Sequence, residues 1–221
     1  YVVNGEPLGL VYEISDGGAH GKVVALKAHR DLNLWYRTGL PYDEIHPEDP
    51  NNVGVIARSE TDGQENMKAY KQIPDWKTHY PVAAYVSDLN DENGNPGWYL
   101  PAIKEVQAMV GWIDGEVLSP DGEAGQEPSE AMKEKRKAIN QLIVDNGGNE
   151  FYFYGYDVSF IIDQTNAWEA DYFNRIYTST ETDYQVHPMV FKFYLRNGWW
   201  ETMHVYGDLA RNYGGVRPFL A

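Results

Sequence analysis

The 221-residue chain has no cysteine. That removes disulfides, thiol catalysis, iron–sulfur clusters and thiolate zinc sites together. It leaves the redox compartment open, because a chain of this length can build a core without disulfide staples. Basic residues are scarce: 18 Lys and Arg against 33 Asp and Glu give 18 − 33 = −15. Duplex nucleic acid is excluded as a partner on that balance, since phosphate binding needs a basic surface. Anionic membrane surfaces are disfavoured for the same reason. No apolar run approaches the ~20 residues that a membrane-spanning helix needs. Compact catalytic signatures are missing too, among them G-x-x-x-x-G-K-[ST], G-x-G-x-x-G, H-E-x-x-H, G-x-S-x-G and S-x-x-K.

Aromatic residues, by contrast, are abundant: 7 Trp, 17 Tyr and 7 Phe make up 14% of the chain. With 43% hydrophobic residues, a sizeable ordered core is expected. At roughly 150 residues per domain, the length fits one large domain, or one domain with inserted loops. A chain opening on Tyr1, with neither Met nor a leader, reads as a mature or trimmed form. Neither an internal repeat nor a dividing linker is evident. The expectation is a single domain over 1–221, with loop insertions near 31–52, 114–130 and 149–175.

Local chemistry places the elements. Leu8 to Ile14 and Lys22 to Leu26 are apolar β-rich runs around Ser15-Asp16-Gly17-Gly18, a hairpin pattern. The Gly-rich run to Gly21 therefore precedes a strand, not the helix that a phosphate cradle requires. Asp62 and Glu65 have capping-box spacing, and a short helix should run past Met67 and Tyr70 to a stop at Pro74. Pro101 opens a second helix with the stripe Ile103, Val106, Met109 and Val110, ended by Gly111. Asp114 to Glu130 holds six acids and no base, the composition of an exposed loop. A third helix starts from Ser129 as N-cap, buries Met132, Ile139, Leu142 and Ile143, and stops at Gly147-Gly148. Its cluster Lys133, Lys135, Arg136 and Lys137 reads as a solvated face. Ile176 to Thr180 is a strand candidate, and Tyr213 to Phe219 can supply a last strand.

Asn197-Gly198, between two β-rich runs, is a type I′ hairpin signal. A two-residue loop there pairs Arg196 with Trp199, Leu195 with Trp200, Tyr194 with Glu201 and Phe193 with Thr202. One face then carries Phe191, Phe193, Leu195 and Trp200 and looks like core. The other carries Lys192, Tyr194, Arg196, Trp199 and Glu201. Trp199, Tyr194, Arg196 and Glu201 form the candidate ligand-binding set, because an exposed ring beside charged groups can stack on a sugar and hydrogen-bond its hydroxyls. The competing reading is that Trp199 packs beneath a neighbouring loop.

Metal chemistry has one weak signal. Asp91-Glu92-Asn93-Gly94-Asn95 has the opening spacing of an EF-hand loop, but Pro96 stands where Gly is required and Ala102 where Glu is required. Calcium through Asp88, Asp91 and Asn93 stays a minor candidate beside an acidic Asn/Gly turn. The six histidines are scattered and form no short ligand pair. With 33 acids present, some carboxylates will be neighbours by chance, so spacing cannot identify a glycosidase pair.

Several segments together carry a resemblance: Asp16 to Leu26, Gly97-Trp98-Tyr99-Leu100-Pro101 with Glu105, Tyr177-Thr178-Ser179-Thr180-Glu181, and Gly215-Val216-Arg217-Pro218-Phe219. In order and spacing this set resembles the bacterial C-type-lectin-like domains of unknown function. Those are related to the collagen-like-protein C-terminal domain and, more distantly, to the formylglycine-generating enzymes. The resemblance runs from about Leu8 to Ala221. Ala102 departs from it, since a Ser or Thr usually follows Leu-Pro and would cap the helix.

The resemblance implies an α+β, C-type-lectin-like fold: two or three helices on a twisted, mainly antiparallel sheet, with adjacent termini. Trp98 and Leu100 would drop into the core, Pro101 would start a helix, and Glu181 and Arg217 would form a partly buried ion pair or cap backbone amides. It also implies a secreted or outer-membrane-surface protein of the kind found in Bacteroidetes fimbria-associated proteins and lipoproteins. The E-P-N or Q-P-D sugar motif of calcium-dependent lectins is missing, and formylglycine generation needs cysteines that this chain lacks. The functional expectation is a non-enzymatic extracellular binding or adhesion module for a glycan or surface protein. Alternatives are a structural or accessory subunit with fimbrial partner subunits and, more weakly, a carbohydrate-active hydrolase.

Overall fold

The computed structural model describes residues 1–29, 56–93, 97–115, 129–150, 175–181, 188–193, 200–204 and 216–221. For 91–93, 175, 188–193 and 200–204 it describes the backbone alone. In chain order the elements are β1 (Val2–Val3), β2 (Glu6–Pro7), β3 (Gly9–Ser15), a 3-10 turn at Asp16–Gly18, β4 (His20–Ala25), α1 (Gly63–Tyr70), α2 (Trp76–His79), α3 (Pro81–Asn93), α4 (Ile103–Asp114), α5 (Glu130–Asp145), β5 (Arg175–Glu181), β6 (Pro188–Phe193), β7 (Trp200–His204) and β8 (Phe219–Leu220). Helices and antiparallel sheets together make an α+β architecture.

β1 and β2 form a small ribbon turned by Asn4-Gly5, both at positive φ (51° and 85°). Asn-Gly suits this turn because both central positions need left-handed backbone. β3 pairs with β4 across the expected turn, and Tyr12 is the extra residue of a bulge between the Val11–Val23 and Glu13–Lys22 pairs. β8 pairs with the other edge of β4, so the last residues close the sheet opened by β3. Of the expected last strand, Tyr213 to Gly215 lie outside the described residues; among the described ones Val216 bridges to His29 and the strand is Phe219–Leu220. Tyr1, Leu220 and Ala221 line one surface hollow, so the termini are neighbours.

α1 begins where the capping chemistry places it: the Asp62 carboxylate accepts from the Glu65 N–H at 2.9 Å. It ends earlier than expected, at Tyr70, and two unanticipated helices follow. Pro81 suits the first turn of α3, and Val82, Tyr85, Val86 and Leu89 recur at helical spacing. The Asp91-Glu92-Asn93 run read as an acidic turn is the last turn of this helix. α4 starts at Ile103 rather than Pro101 and continues through Gly111, ending at Gly115 in left-handed conformation (φ 76°). Glycine at a helix interior costs only about 1 kcal/mol, whereas at the position after the last turn it is favoured. Ile103, Val106, Met109, Val110 and Ile113 on α4 are all buried in the central core.

α5 is capped by Ser129, whose Oγ accepts from the Met132 N–H at 3.3 Å. Its inward face is Ile139 and Ile143, while Leu142 is exposed, against expectation. The sequence pattern places Asp114 in an exposed acidic loop and Arg136 on a solvated face, and the structure corrects both. Both are buried, and they face each other across the α4–α5 contact.

β5, β6 and β7 form the third sheet, which packs against α4. β6 and β7 pair as expected, but the register differs by two residues: Phe193 faces Trp200, and Phe191 faces Thr202. The expected two-residue loop at 197–198 therefore does not set this register. A shift of two keeps the alternation, so Phe191, Phe193 and Trp200 still hold positions on one face. Along β5, three residues (Thr178, Ser179 and Thr180) stand opposite Met189 alone. This bulge frees them to bond to segments other than β6. Of the expected insertions, 31–52 lies outside the described residues, as do most of 114–130 and 149–175. Among the described residues, no helix is long and apolar enough to cross a membrane.

Candidate functional site

Most polar chemistry in the interior is engaged in holding the fold. Ala102, at the N-cap of α4, has no side chain to cap with, and Glu105 does the work instead. Its Oε2 accepts from the N–H groups of Ala102 (2.9 Å) and Gly63 (3.0 Å), joining the starts of α4 and α1. Its Oε1 accepts from the Tyr99 hydroxyl at 2.8 Å, and Lys22 Nζ of β4 lies 3.3 Å away. Burial, with the Glu105 charge adding to it, pushes the Tyr99 hydroxyl far above its ordinary pKa; Tyr12 shifts the same way for the same reasons.

The Thr-Ser-Thr segment of β5 is buried throughout. Thr180 Oγ1 donates to the Ser59 carbonyl (2.9 Å) and accepts from the Ile103 N–H (3.0 Å). Ser179 Oγ accepts from Asn66 Nδ2 at 2.9 Å, and the Ser179 carbonyl accepts from the Tyr70 hydroxyl at 2.6 Å. Hydroxyls are tolerated here because each finds a partner.

Glu181 caps backbone amides: its Oε2 accepts from Ile56 N–H (3.0 Å) and Ala57 N–H (3.2 Å). Arg217 serves carbonyls instead, donating to Ala25 and Leu26 (both 2.8 Å) and to Asn149 (2.8 Å). Through these bonds Arg217 ties the chain end to the end of β4 and the segment after α5. Trp98, Leu100 and Pro101 are buried, and the Pro101 carbonyl accepts from the Ser179 N–H at 2.7 Å.

A cleft of about 390 Å³ opens between β2 and the residues after it, the end of β4, α3 and the C-terminal end of α5. Pro7, Leu8, Leu26 and Leu89 give it apolar walls, and Tyr85 and Trp98 line it with aromatic rings. Trp98 is fixed through its backbone. Asn90 Oδ1 accepts from the Trp98 N–H (2.8 Å), and Asn90 Nδ2 donates to the Trp98 carbonyl (2.9 Å). The Tyr85 ring lies against His29, with centroids 4.2 Å apart. Glu6, Lys27 and Asn146 line the cleft from exposed positions. Among the described residues, the Glu6 and Lys27 side chains have no hydrogen-bond or ion-pair partner. Asn146 donates from Nδ2 to the Leu142 carbonyl (2.8 Å), which leaves its Oδ1 as an acceptor.

Trp199, Tyr194 and Arg196 lie outside the described residues, and Glu201 is described in backbone only, within β7. Asp88 sits on α3 and forms an ion pair with Lys77. Asp91 and Asn93 lie in the last turn of the same helix, not in a ligand loop. Among the described residues, no group of three or more His, Asp or Glu could hold a metal ion. Of the residues named in the sequence motifs, Leu8, Leu26, Trp98, Gly147 and Pro218 line the cleft, whereas no described member of the candidate ligand-binding or metal sets does. Tyr85 and Leu89 were missed with α3, although the Val82-Tyr85-Val86-Leu89 spacing was a readable signal. No protein-family model, curated protein or solved structure matches this chain.

Proposed function

We propose that the chain is a non-enzymatic extracellular binding or adhesion module with a C-type-lectin-like fold, acting at a bacterial surface on a glycan or protein ligand. The observation that carries this reading is the cleft, where aromatic and apolar walls meet polar groups whose bonding capacity is not taken up by the protein. Ligand sites generally combine those two features, and the cleft volume falls within the ~300–1,000 Å³ usual for them. The buried carboxylates Glu105, Asp114 and Glu181 support the non-enzymatic part, because each is bonded to backbone amides or an arginine. Among the described residues the cleft carries one carboxylate, Glu6, whereas glycoside hydrolysis uses two. The fold assignment draws support from β8 closing onto β4 and from the placing of the Trp98–Pro101 segment ahead of α4.

A structural subunit of a fimbria-like assembly is the second reading, with partner subunits as its ligands. It is favoured by β3, which among the described residues forms an edge of its sheet and has Ile14 exposed. A glycan array combined with adhesion of the purified chain to bacterial and host cells tests the leading reading. Specific, saturable binding in either format is the expected result. Silence in both formats would remove it.

A further inference from the structure

We infer that the cleft between β2, α3 and the end of α5 is a saccharide subsite taking a neutral mono- or disaccharide; this rests on the binding-module reading and narrows it. A pyranose ring has two chemistries in one small body, an apolar face of C–H groups and a rim of hydroxyls that both donate and accept. The cleft has counterparts for both. Tyr85, Trp98 and Leu89 supply flat and apolar wall. Lys27 supplies a donor, Glu6 an acceptor and Asn146 Oδ1 a second acceptor. Three exposed polar groups around the walls would be wasted on an acyl chain, which argues against a lipid tail. The volume of about 390 Å³ stands near the lower end of the range for small-ligand sites, which suits a short saccharide.

Charge decides which saccharides fit. Glu6 lines the cleft, and the chain carries a formal charge of −15. A sialic acid or uronate would enter against both, with Lys27 as the one cation among the described lining residues. A neutral hexose or N-acetylhexosamine bears no such penalty. The walls are preorganised, because Asn90 clamps the backbone of Trp98 from both sides and Arg217 fixes the strand end that carries Leu26. Little ordering cost then falls on binding.

The test is a titration of the isotope-labelled chain by NMR with methyl glycosides of glucose, galactose, mannose and N-acetylglucosamine, with lactose and cellobiose, and with N-acetylneuraminic acid. The expected result is saturable amide shifts at residues 6–8, 25–27, 85, 89, 98 and 146–147 with at least one neutral sugar. The Glu6→Ala/Lys27→Ala variant should bind that sugar at least tenfold more weakly. Both positions are exposed, so the variant should keep its circular dichroism and Tm, which are measured alongside. Tyr85→Ala is the second variant, and loss of binding without loss of fold is expected there too. Shifts confined to residues 194–201 would overturn the cleft and leave a binding module with its site elsewhere. Equal or tighter binding of N-acetylneuraminic acid would overturn the charge argument. Cell adhesion without binding of any sugar in the panel would overturn the saccharide assignment and leave the module reading intact. Absence of both would overturn both.

Discussion

Removing one member of the Arg136–Asp114 pair should destabilise the protein far more than removing both, and the two single variants should not cost the same. Each side chain is 1% exposed, and the guanidinium engages both carboxylate oxygens, Nε to Oδ1 at 2.7 Å and Nη2 to Oδ2 at 2.8 Å. Truncating one partner of a buried pair leaves a charge in the interior, at a cost of about 3–5 kcal/mol. In a domain of this size, where 1 kcal/mol moves Tm by roughly 2–4 °C, that is a fall of roughly 6–20 °C.

Asp114 is the last residue of α4, where carbonyl groups give the helix end a partial negative charge. A carboxylate there is disfavoured by about 0.3–1 kcal/mol before any burial cost. Arg136→Met therefore strands a negative charge at a negative helix end. Asp114→Leu strands a positive charge beside carbonyls that can receive it. Arg136→Met should be the worse of the two. The double variant Asp114→Leu/Arg136→Met should recover most of the loss, because apolar replacement of a buried pair is often neutral or stabilising. Urea unfolding followed by far-UV circular dichroism measures all three, and the double-mutant cycle isolates the coupling. A cost below about 1 kcal/mol for Arg136→Met, or a reversed order of the single variants, would refute the reasoning.

Other consequences can be measured on the same material. Tyr99→Phe removes a hydrogen bond to the Glu105 carboxylate and should cost about 1.5–3 kcal/mol near neutral pH in urea melts. The hydroxyl pKa values of Tyr12 and Tyr99 are raised on folding above the ordinary 10.0. The stability they contribute is thus complete below pH 10 and lost as pH rises beyond it. Alkaline unfolding followed by tyrosinate absorbance should set in above that point, with a shallower pH slope in Tyr99→Phe. Glu181→Gln keeps the shape that bonds Ile56 and Ala57 but removes the charge, and a loss of about 1.5–3 kcal/mol is expected, with hydrogen exchange of those two amides accelerating first. Lys77→Ala should cost less than about 1 kcal/mol, because its pair with Asp88 is half-exposed.

What could be read from the sequence was local. The Asp62 and Ser129 caps and the β3–β4 turn depend on residues within a few positions of one another, and all three are found where expected. Arg136 could not be read this way, since three lysines surround it in the sequence and its partner lies 22 positions away. Burial of a charged residue is decided by what packs over it. α3 carries a helical signal in the Val82-Tyr85-Val86-Leu89 stripe, but its acidic, Asn-rich end has the composition of a turn and masks that period. The β6–β7 slip has another origin. Asn-Gly occurs four times, and at Asn4-Gly5 it makes the two-residue turn, whereas the β6–β7 pairing leaves six residues between Phe193 and Trp200. Dipeptide chemistry proposes a turn, and the strands decide which offset buries them best.

The same distinction separates scaffold from site. β5 reads as polar, Tyr-Thr-Ser-Thr-Glu, yet every one of those residues is buried, because α1, the start of α4 and residues 56–59 supply partners for its hydroxyls and its carboxylate. Buried polar groups that are fully bonded fix a unique packing and have no capacity left for a ligand. Glu105, Asp114 and Arg217 all fall in that class, although as isolated letters they look like chemistry. Glu6, Lys27 and Asn146 look unremarkable as letters, but they stand beside aromatic walls with bonding capacity still open. Recognition requires groups that the fold has left unsatisfied in a place a ligand can reach. Among the described residues that condition points to the cleft and away from the buried carboxylates.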